Sequence, residues 1–157
     1  MSAHYCLNIE RLVAMKTFDV EFDVYFEDIS PSGKIHLEKI IEWMSMAREQ
    51  YFKATCPEHL KFVNNLVKMF TSCVSILIPE RAQSQWADRI IVKLFPANIK
   101  KISFEMHMDF YNKRTNKIIA QGIQRVAFVD CNTKEFAPIP DDMKRVIDGY
   151  INRNVEV

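Results

Sequence analysis

Glycine is scarce in this chain, with three residues in 157. Few turns can therefore demand a positive φ, and long strands joined by modest loops are favoured. Charge imbalance is also missing. A net charge of +1 argues against bulk electrostatic capture of nucleic acid or of an anionic membrane. It leaves room for a small anionic ligand held by a few local cations. No apolar run approaches the roughly 20 residues of a spanning helix. The first residues, interrupted by Asn8, Glu10 and Arg11, lack the continuous apolar core of a signal peptide. The four cysteines, Cys6, Cys56, Cys73 and Cys131, are scattered, with no CxxC and no metal-like pairing with histidine. They read as free thiols in a reducing cytoplasm rather than as disulfides.

What is present is ordinary for a globular chain: 48% hydrophobic and 26% charged residues. The length suits one domain spanning residues 1–157, with a sizeable core. Residues 1–16 show no clean period and are expected to form an irregular arm or a short helix. From Thr17 to Glu27 the alternation is strict. Phe18, Val20, Phe22, Val24 and Phe26 share one face, with Asp19, Glu21, Asp23, Tyr25 and Glu27 opposite, which predicts a half-buried strand.

The stretch Phe26-Glu27-Asp28-Ile29-Ser30-Pro31-Ser32-Gly33-Lys34-Ile35-His36 then turns the chain into a helix running to about Lys53. Leu37, Ile40, Ile41, Met44, Ala47, Tyr51 and Phe52 recur at spacings of three and four. The middle of this helix, Trp43 to Ala47, carries no charge on any face, so the helix is expected to be enclosed on most sides. Its start offers free backbone N–H groups and the positive end of the helix dipole.

Four more extended stretches follow, at Lys68 to Glu80, Asp88 to Pro96, Lys101 to Asn112 and Lys117 to Asp130. Pro138-Ile139-Pro140-Asp141-Asp142 opens a final helix to about Asn152, its acidic pair in the first turn. Consecutive strands favour antiparallel hairpins, and one sheet around one helix is the simplest packing that encloses it. The fold class expected is α+β: an antiparallel five-stranded sheet wrapped around a long central helix, with a short C-terminal helix.

This pattern resembles the hotdog fold, and within it the 4-hydroxybenzoyl-CoA thioesterase-like family. The resemblance runs from about Thr17 to Ile151. It rests on Phe26 to Gly33, on Trp43 and Ala47-Arg48-Glu49, on Pro79 with Asp88, on Gly122 and on Ala137 to Pro140. It implies hydrolysis of an acyl-CoA or acyl-carrier-protein thioester, with no cofactor, in a homodimer or homotetramer that joins sheets edge to edge.

The departure is Ser30, which stands where hydrolytic members typically carry the catalytic aspartate, a nucleophile or a general base for water. The enediyne and polyketide carrier-protein thioesterases resemble this chain further, with a neutral polar residue there. For them the resemblance implies an oxyanion hole of backbone N–H groups near Ile35 to Leu37 and a positioned water. Candidate catalytic residues are therefore Ser30, Asp28, His36, the Leu37 N–H and Glu38. Candidate substrate-binding residues are Gly33, Ile35, Trp43, Lys100 and Lys101, the last two for a pantetheine phosphate or an acidic carrier-protein helix.

Plainer readings stand beside these. Ser30 suits a turn or cap, Asp28 a solvated strand face, Glu38 a first-turn partner of the dipole, and His107 a surface strand. Trp43, Met44 and Met46 suit the core or a dimer interface as well as an acyl tunnel. A hotdog lyase, either dehydratase or decarboxylase, and a non-catalytic acyl-thioester binding protein are the alternative functions. Polyketide or fatty-acid metabolism in the cytoplasm is the expected setting, with no nucleic acid or membrane partner.

Overall fold

The structure, a computed structural model, describes residues 16–57 and 67–155. The arm expected at residues 1–16 lies, except for Lys16, outside the described residues, as does Cys6. Five strands form one antiparallel sheet: β1 (Phe18–Asp23), β2 (Val67–Leu77), β3 (Arg89–Ala97), β4 (Ser103–Asn112) and β5 (Lys117–Asp130). Their order across the sheet is β1-β3-β4-β5-β2. Helix α1 (Leu37–Thr55) lies against one face, and helix α2 (Asp141–Val155) closes the described chain.

The three-and-four spacing of α1 is realised as a buried stripe of Ile40, Trp43, Met44, Ala47, Arg48, Tyr51 and Phe52. The stripe packs on inward residues of the sheet, among them Phe22, Val92, Phe104, Met108, Phe110 and Phe128. Ring contacts set the direction of the helix. Trp43 stacks on Phe22 at 5.3 Å, Tyr51 meets Phe18 edge-on at 5.6 Å, and Phe52 meets Phe104 at 5.8 Å. The helix therefore runs antiparallel to β1 and starts at the Asp23 end of that strand. On β5 the missing side chain of Gly122 makes room for this packing, since a Cβ there would lie 2.6 Å from the Met44 methyl. Irregularities at Thr71/Cys73 and Phe110/Tyr111 mark where the strands bend.

Two expectations fail for local reasons. The strand predicted through Glu27 leaves the sheet after Asp23 and makes a 3₁₀ turn at Phe26–Asp28. Asp28 Oδ2 accepts the Tyr25 N–H at 2.8 Å, and such short-range bonds compete with a strand ladder. The turn reverses the alternation. Phe26 swings outward, 70% exposed, and stacks on Trp86 at 5.0 Å, while Asp28 is buried. The central helix is also less enclosed than its uncharged middle suggested. The sheet covers one side, and Leu37, Ile41 and Met46 remain exposed on the other. The final helix starts at Asp141 with the expected acidic pair in its first turn, and α1 runs on to Thr55.

The two outer strands differ. On β1, Asp19 pairs with Lys93, while Glu21 and Asp23 pair with Arg89 and Lys113, so that edge is charged. On β2, Lys68 is the one charged residue among eleven, and the edge is long and apolar. Among the described residues no helix is long and apolar enough to cross a membrane.

Phe104 is fully buried between Phe52 and Phe128. Phe104→Ala is expected to cost about 3–5 kcal/mol in urea unfolding, the range for a truncated core phenylalanine. A loss below about 1 kcal/mol would show that the helix and sheet are not packed through this ring.

Candidate functional site

The turn between β1 and α1 is tied to itself and to the segment before β3. The Ser30 N–H donates to the Lys34 carbonyl at 2.7 Å, the Gly33 N–H to the Ser30 carbonyl at 2.9 Å, and Ile29 bridges to Ile35. Gly33 takes φ +82°, a left-handed conformation that glycine adopts without penalty. A Cβ there would lie 2.1 Å from the Gln83 amide oxygen. Gln83 Nε2 donates to the Ser32 carbonyl at 3.2 Å and the Ser84 N–H to the Gly33 carbonyl at 2.9 Å, which fixes the height of the turn.

Neither polar side chain expected to do chemistry in this turn is free. Asp28 is not a solvated strand carboxylate. It is 5% exposed, holds the Tyr25 N–H through Oδ2 and faces Lys39 Nζ at 3.4 Å through Oδ1. Its backbone carbonyl accepts the His36 N–H at 2.9 Å, which ties the start of α1 to the turn. Ser30 Oγ lies 2.8 Å from Ser32 Oγ and accepts the Lys34 N–H at 3.3 Å. Both side chains hold the loop.

The start of α1 is open by contrast. His36 occupies the N-cap position without a side-chain cap, and His36, Leu37 and Glu38 are all exposed. The first backbone N–H groups of a helix have no intrahelical partner, so those of Leu37 and Glu38 point towards any acceptor placed there. Neither the His36 nor the Glu38 side chain makes a hydrogen bond among the described residues. Ile35 and Trp43 are buried in the core beneath this end.

Further along the same helix is Arg48, part of the Ala47-Arg48-Glu49 resemblance but not among the candidate site residues. Arg48 is 7% exposed and has no carboxylate partner among the described residues. Its Nη1 donates to Thr71 Oγ1 at 2.7 Å and to Gln124 Oε1 at 2.9 Å, and Gln124 Nε2 in turn donates to Ser45 Oγ at 3.2 Å. Its Nε is buried with no partner. Burial pulls the guanidinium below the ordinary arginine range, outweighing a small opposing contribution from Glu49. A buried cation left with donors to spare is expensive structurally and suits a site that receives an anion or a developing negative charge. The signal was in the spacing: Met44, Arg48 and Phe52 fall on one apolar stripe at intervals of four.

Lys100 and Lys101 are exposed in the β3–β4 turn. The nine residues of β3 separate that turn from the Ser30 loop by roughly 30 Å of strand rise, so one chain does not bring them together. His107 is not a plain surface residue either. Its side chain is 18% exposed, tilted against the Phe95 ring and bonded to Glu105 Oε2 at 3.0 Å. Among the described residues no cluster of three His, Cys, Asp or Glu could hold a metal.

Asp88 anchors the segment that supports the turn. Burial alone pushes its carboxyl up. Hydrogen bonds from Arg114 (2.6 and 3.0 Å), Asn112 (2.7 Å) and the Gln85 N–H (2.9 Å) outweigh that and hold it below the usual carboxylate range.

Comparison with known proteins adds the following. A family model described as the thioesterase-like superfamily matches residues 24–147. No curated protein sequence matches. Among similar solved structures is the dynemicin thioesterase, at 16% identity and TM-score 0.79, covering 86% of this chain and 97% of that one. Another is a 1,4-dihydroxy-2-naphthoyl-CoA thioesterase from Synechocystis, at 18% identity and TM-score 0.73, covering 85% and 96%. A hypothetical protein from Staphylococcus aureus in complex with CoA is similar at 14% identity and TM-score 0.78, covering 88% and 86%. At these identities the likeness is one of fold, and that fold is the hotdog fold.

Two outcomes test the turn. Gly33→Ala forces a β-carbon into the left-handed region, at about 1–2 kcal/mol. Adding Gln83→Ala removes the clash but is expected to leave most of that cost, measured by urea unfolding. Full recovery in the double variant would mean that the backbone is not strained. Asp88 has a depressed folded-state pKa, so its stabilisation is present above about pH 4 and is lost as pH falls through the folded value. Asp88→Asn should therefore be less stable than the parent at neutral pH, and the gap should close on acidification. A gap independent of pH would refute the assignment.

Proposed function

The chain belongs to the thioesterase-like superfamily, and on that premise we propose that it hydrolyses an acyl thioester, carried by coenzyme A or by an acyl carrier protein. The observation that carries this reading is the open N-terminus of α1, set beside a turn whose own carboxylate and hydroxyl are already engaged. A thioester carbonyl seated there receives the Leu37 and Glu38 N–H groups, which stabilise the oxyanion as water adds. Each such donor is worth about 10²–10³ in rate. With Ser30 and Asp28 engaged, water is the nucleophile. His36 and Glu38 flank it as the titratable side chains within reach of the helix start.

Arg48 supplies the second half of the site. Eleven residues along α1 put it about 16 Å from the helix start, too far to serve the same carbonyl within one chain. Its side chain reaches towards Thr71 on β2, the outer strand whose one charge is Lys68. We propose that two copies pair along β2, so that one copy's Arg48 faces the substrate on the other's helix start. The long apolar β2 edge supports such pairing. The exposed Leu37, Ile41 and Met46 lie where an acyl chain or a second helix would cover them.

The test follows free thiol and acyl mass for acyl-CoA and acyl-carrier-protein thioesters of several chain lengths. Thiol release is expected, falling at least about 100-fold in Arg48→Met, while Ser30→Ala retains most of it and Ser30→Asp raises it. The pH profile identifies the base: a limb that disappears in His36→Gln points to His36, and one that disappears in Glu38→Gln points to Glu38. An altered acyl mass without thiol release would replace hydrolysis by a lyase reaction. Binding with neither outcome would make the chain a non-catalytic acyl-thioester binder.

A further inference from the structure

The face of the sheet turned away from α1 carries a cavity that the hydrolytic reading does not use. On β4, Phe104, Met106, Met108 and Phe110 point into the core, so Glu105, His107 and Asp109 point the other way. A cavity of about 350 Å³ opens over His107 and Asp109, with Phe95, Gln121, Ile123, Ser75 and Leu77 around it. That volume suits a small organic molecule, and mostly apolar walls with a few converging polar groups are the usual make-up of a ligand site.

The polar centre is Asp109. It is 5% exposed, although it lies on the outer face of the sheet. Oδ1 accepts the Gln121 side-chain N–H at 2.8 Å, and Oδ2 has no partner among the described residues. Its cross-strand neighbour is Lys93, which would ordinarily neutralise it. Lys93 instead turns to Asp19, at 2.6 Å. Burial pushes the Asp109 carboxyl above its ordinary range, more than the Gln121 bond and the nearby His107 pull it down. A buried carboxyl with one oxygen free and its natural counter-ion engaged elsewhere lacks a cation. Beside it Phe95 and His107 pack ring to ring at 5.3 Å, a surface that also favours cations.

We propose that this cavity binds a small apolar amine, with its ammonium group on Asp109 Oδ2 and its apolar body between Leu77, Phe95 and Ile123. The cation satisfies the free oxygen and offsets the burial of the negative charge, and the hydrocarbon walls cover the rest of the ligand. Selectivity follows from the same features: a carboxylate of the same shape meets a like charge, and a neutral alcohol leaves the ion without a counter-charge.

Titration calorimetry on the full chain tests this with phenethylammonium, 2-phenylethanol and 3-phenylpropionate. One phenethylammonium per chain is expected to bind, with the alcohol weaker and the carboxylate undetected. Asp109→Asn should weaken the amine at least about tenfold. Ile123→Trp, which fills the cavity without touching the carboxyl, should abolish binding. Both variants should keep thioester hydrolysis, which separates this proposal from the function above. No binding of the amine to the parent chain, equal binding to Asp109→Asn, or equal affinity for 3-phenylpropionate would each overturn the proposal. So would a tetramer that Ile123→Trp dissociates, because the cavity would then be an interface between copies.

Discussion

The structure depends on covering one stripe of one helix. Ile40, Trp43, Met44, Ala47, Tyr51 and Phe52 cannot be left in water, and a curved antiparallel sheet is the surface that covers them. Each fully buried aromatic or aliphatic side chain contributes about 1.5–3 kcal/mol. That burial requires a gap at Gly122 for Met44, an inward Phe on β1, β4 and β5, and a helix antiparallel to β1. The same packing leaves the other side of the helix exposed in a single chain. It also puts the helix start at the end of the sheet where the β1 turn arrives.

The chemistry of the turn follows from that placement. A chain leaving β1 must rise off the sheet to enter a helix lying on its face. It does so through a 3₁₀ turn pinned by Asp28, a left-handed Gly33 and contacts with Gln83 and Ser84. Ser30 and Asp28, the side-chain candidates of the turn, both hold this geometry through hydrogen bonds. The acceptor-seeking groups are the backbone N–H groups of the helix start, which no side chain caps, and Arg48, which no anion among the described residues neutralises.

Periodicity made most of the architecture legible. Period-two alternation located β1, and period-three-and-four spacing located the long helix, because burial on one face is what produces those patterns; the final helix was marked by its prolines and acidic pair. Misreadings arose where a local bond or a cross-sheet partner decided the outcome. Phe26 continued the alternation but ended outside, because one hydrogen bond from Tyr25 to Asp28 outweighed the pattern. His107 reads as a surface strand residue, yet it is only partly exposed beside Phe95, and its strand neighbour Asp109 is buried against Gln121. Lys100 and Lys101 shared a charge type with a phosphate site but lie a strand's length from the turn.

The order of elements, the covered helix stripe and the position of the turn were therefore determined by the sequence alone, since each is a matter of neighbours along the chain. What tertiary structure decided is which polar groups remain free. Arg48 lost its solvent and received Thr71 and Gln124 in place of a carboxylate, and Lys93 chose Asp19 over Asp109. Hydrogen-bond partners separated by tens of residues are set by strand pairing and register. A side chain's availability for chemistry is settled only once every competing partner has been placed.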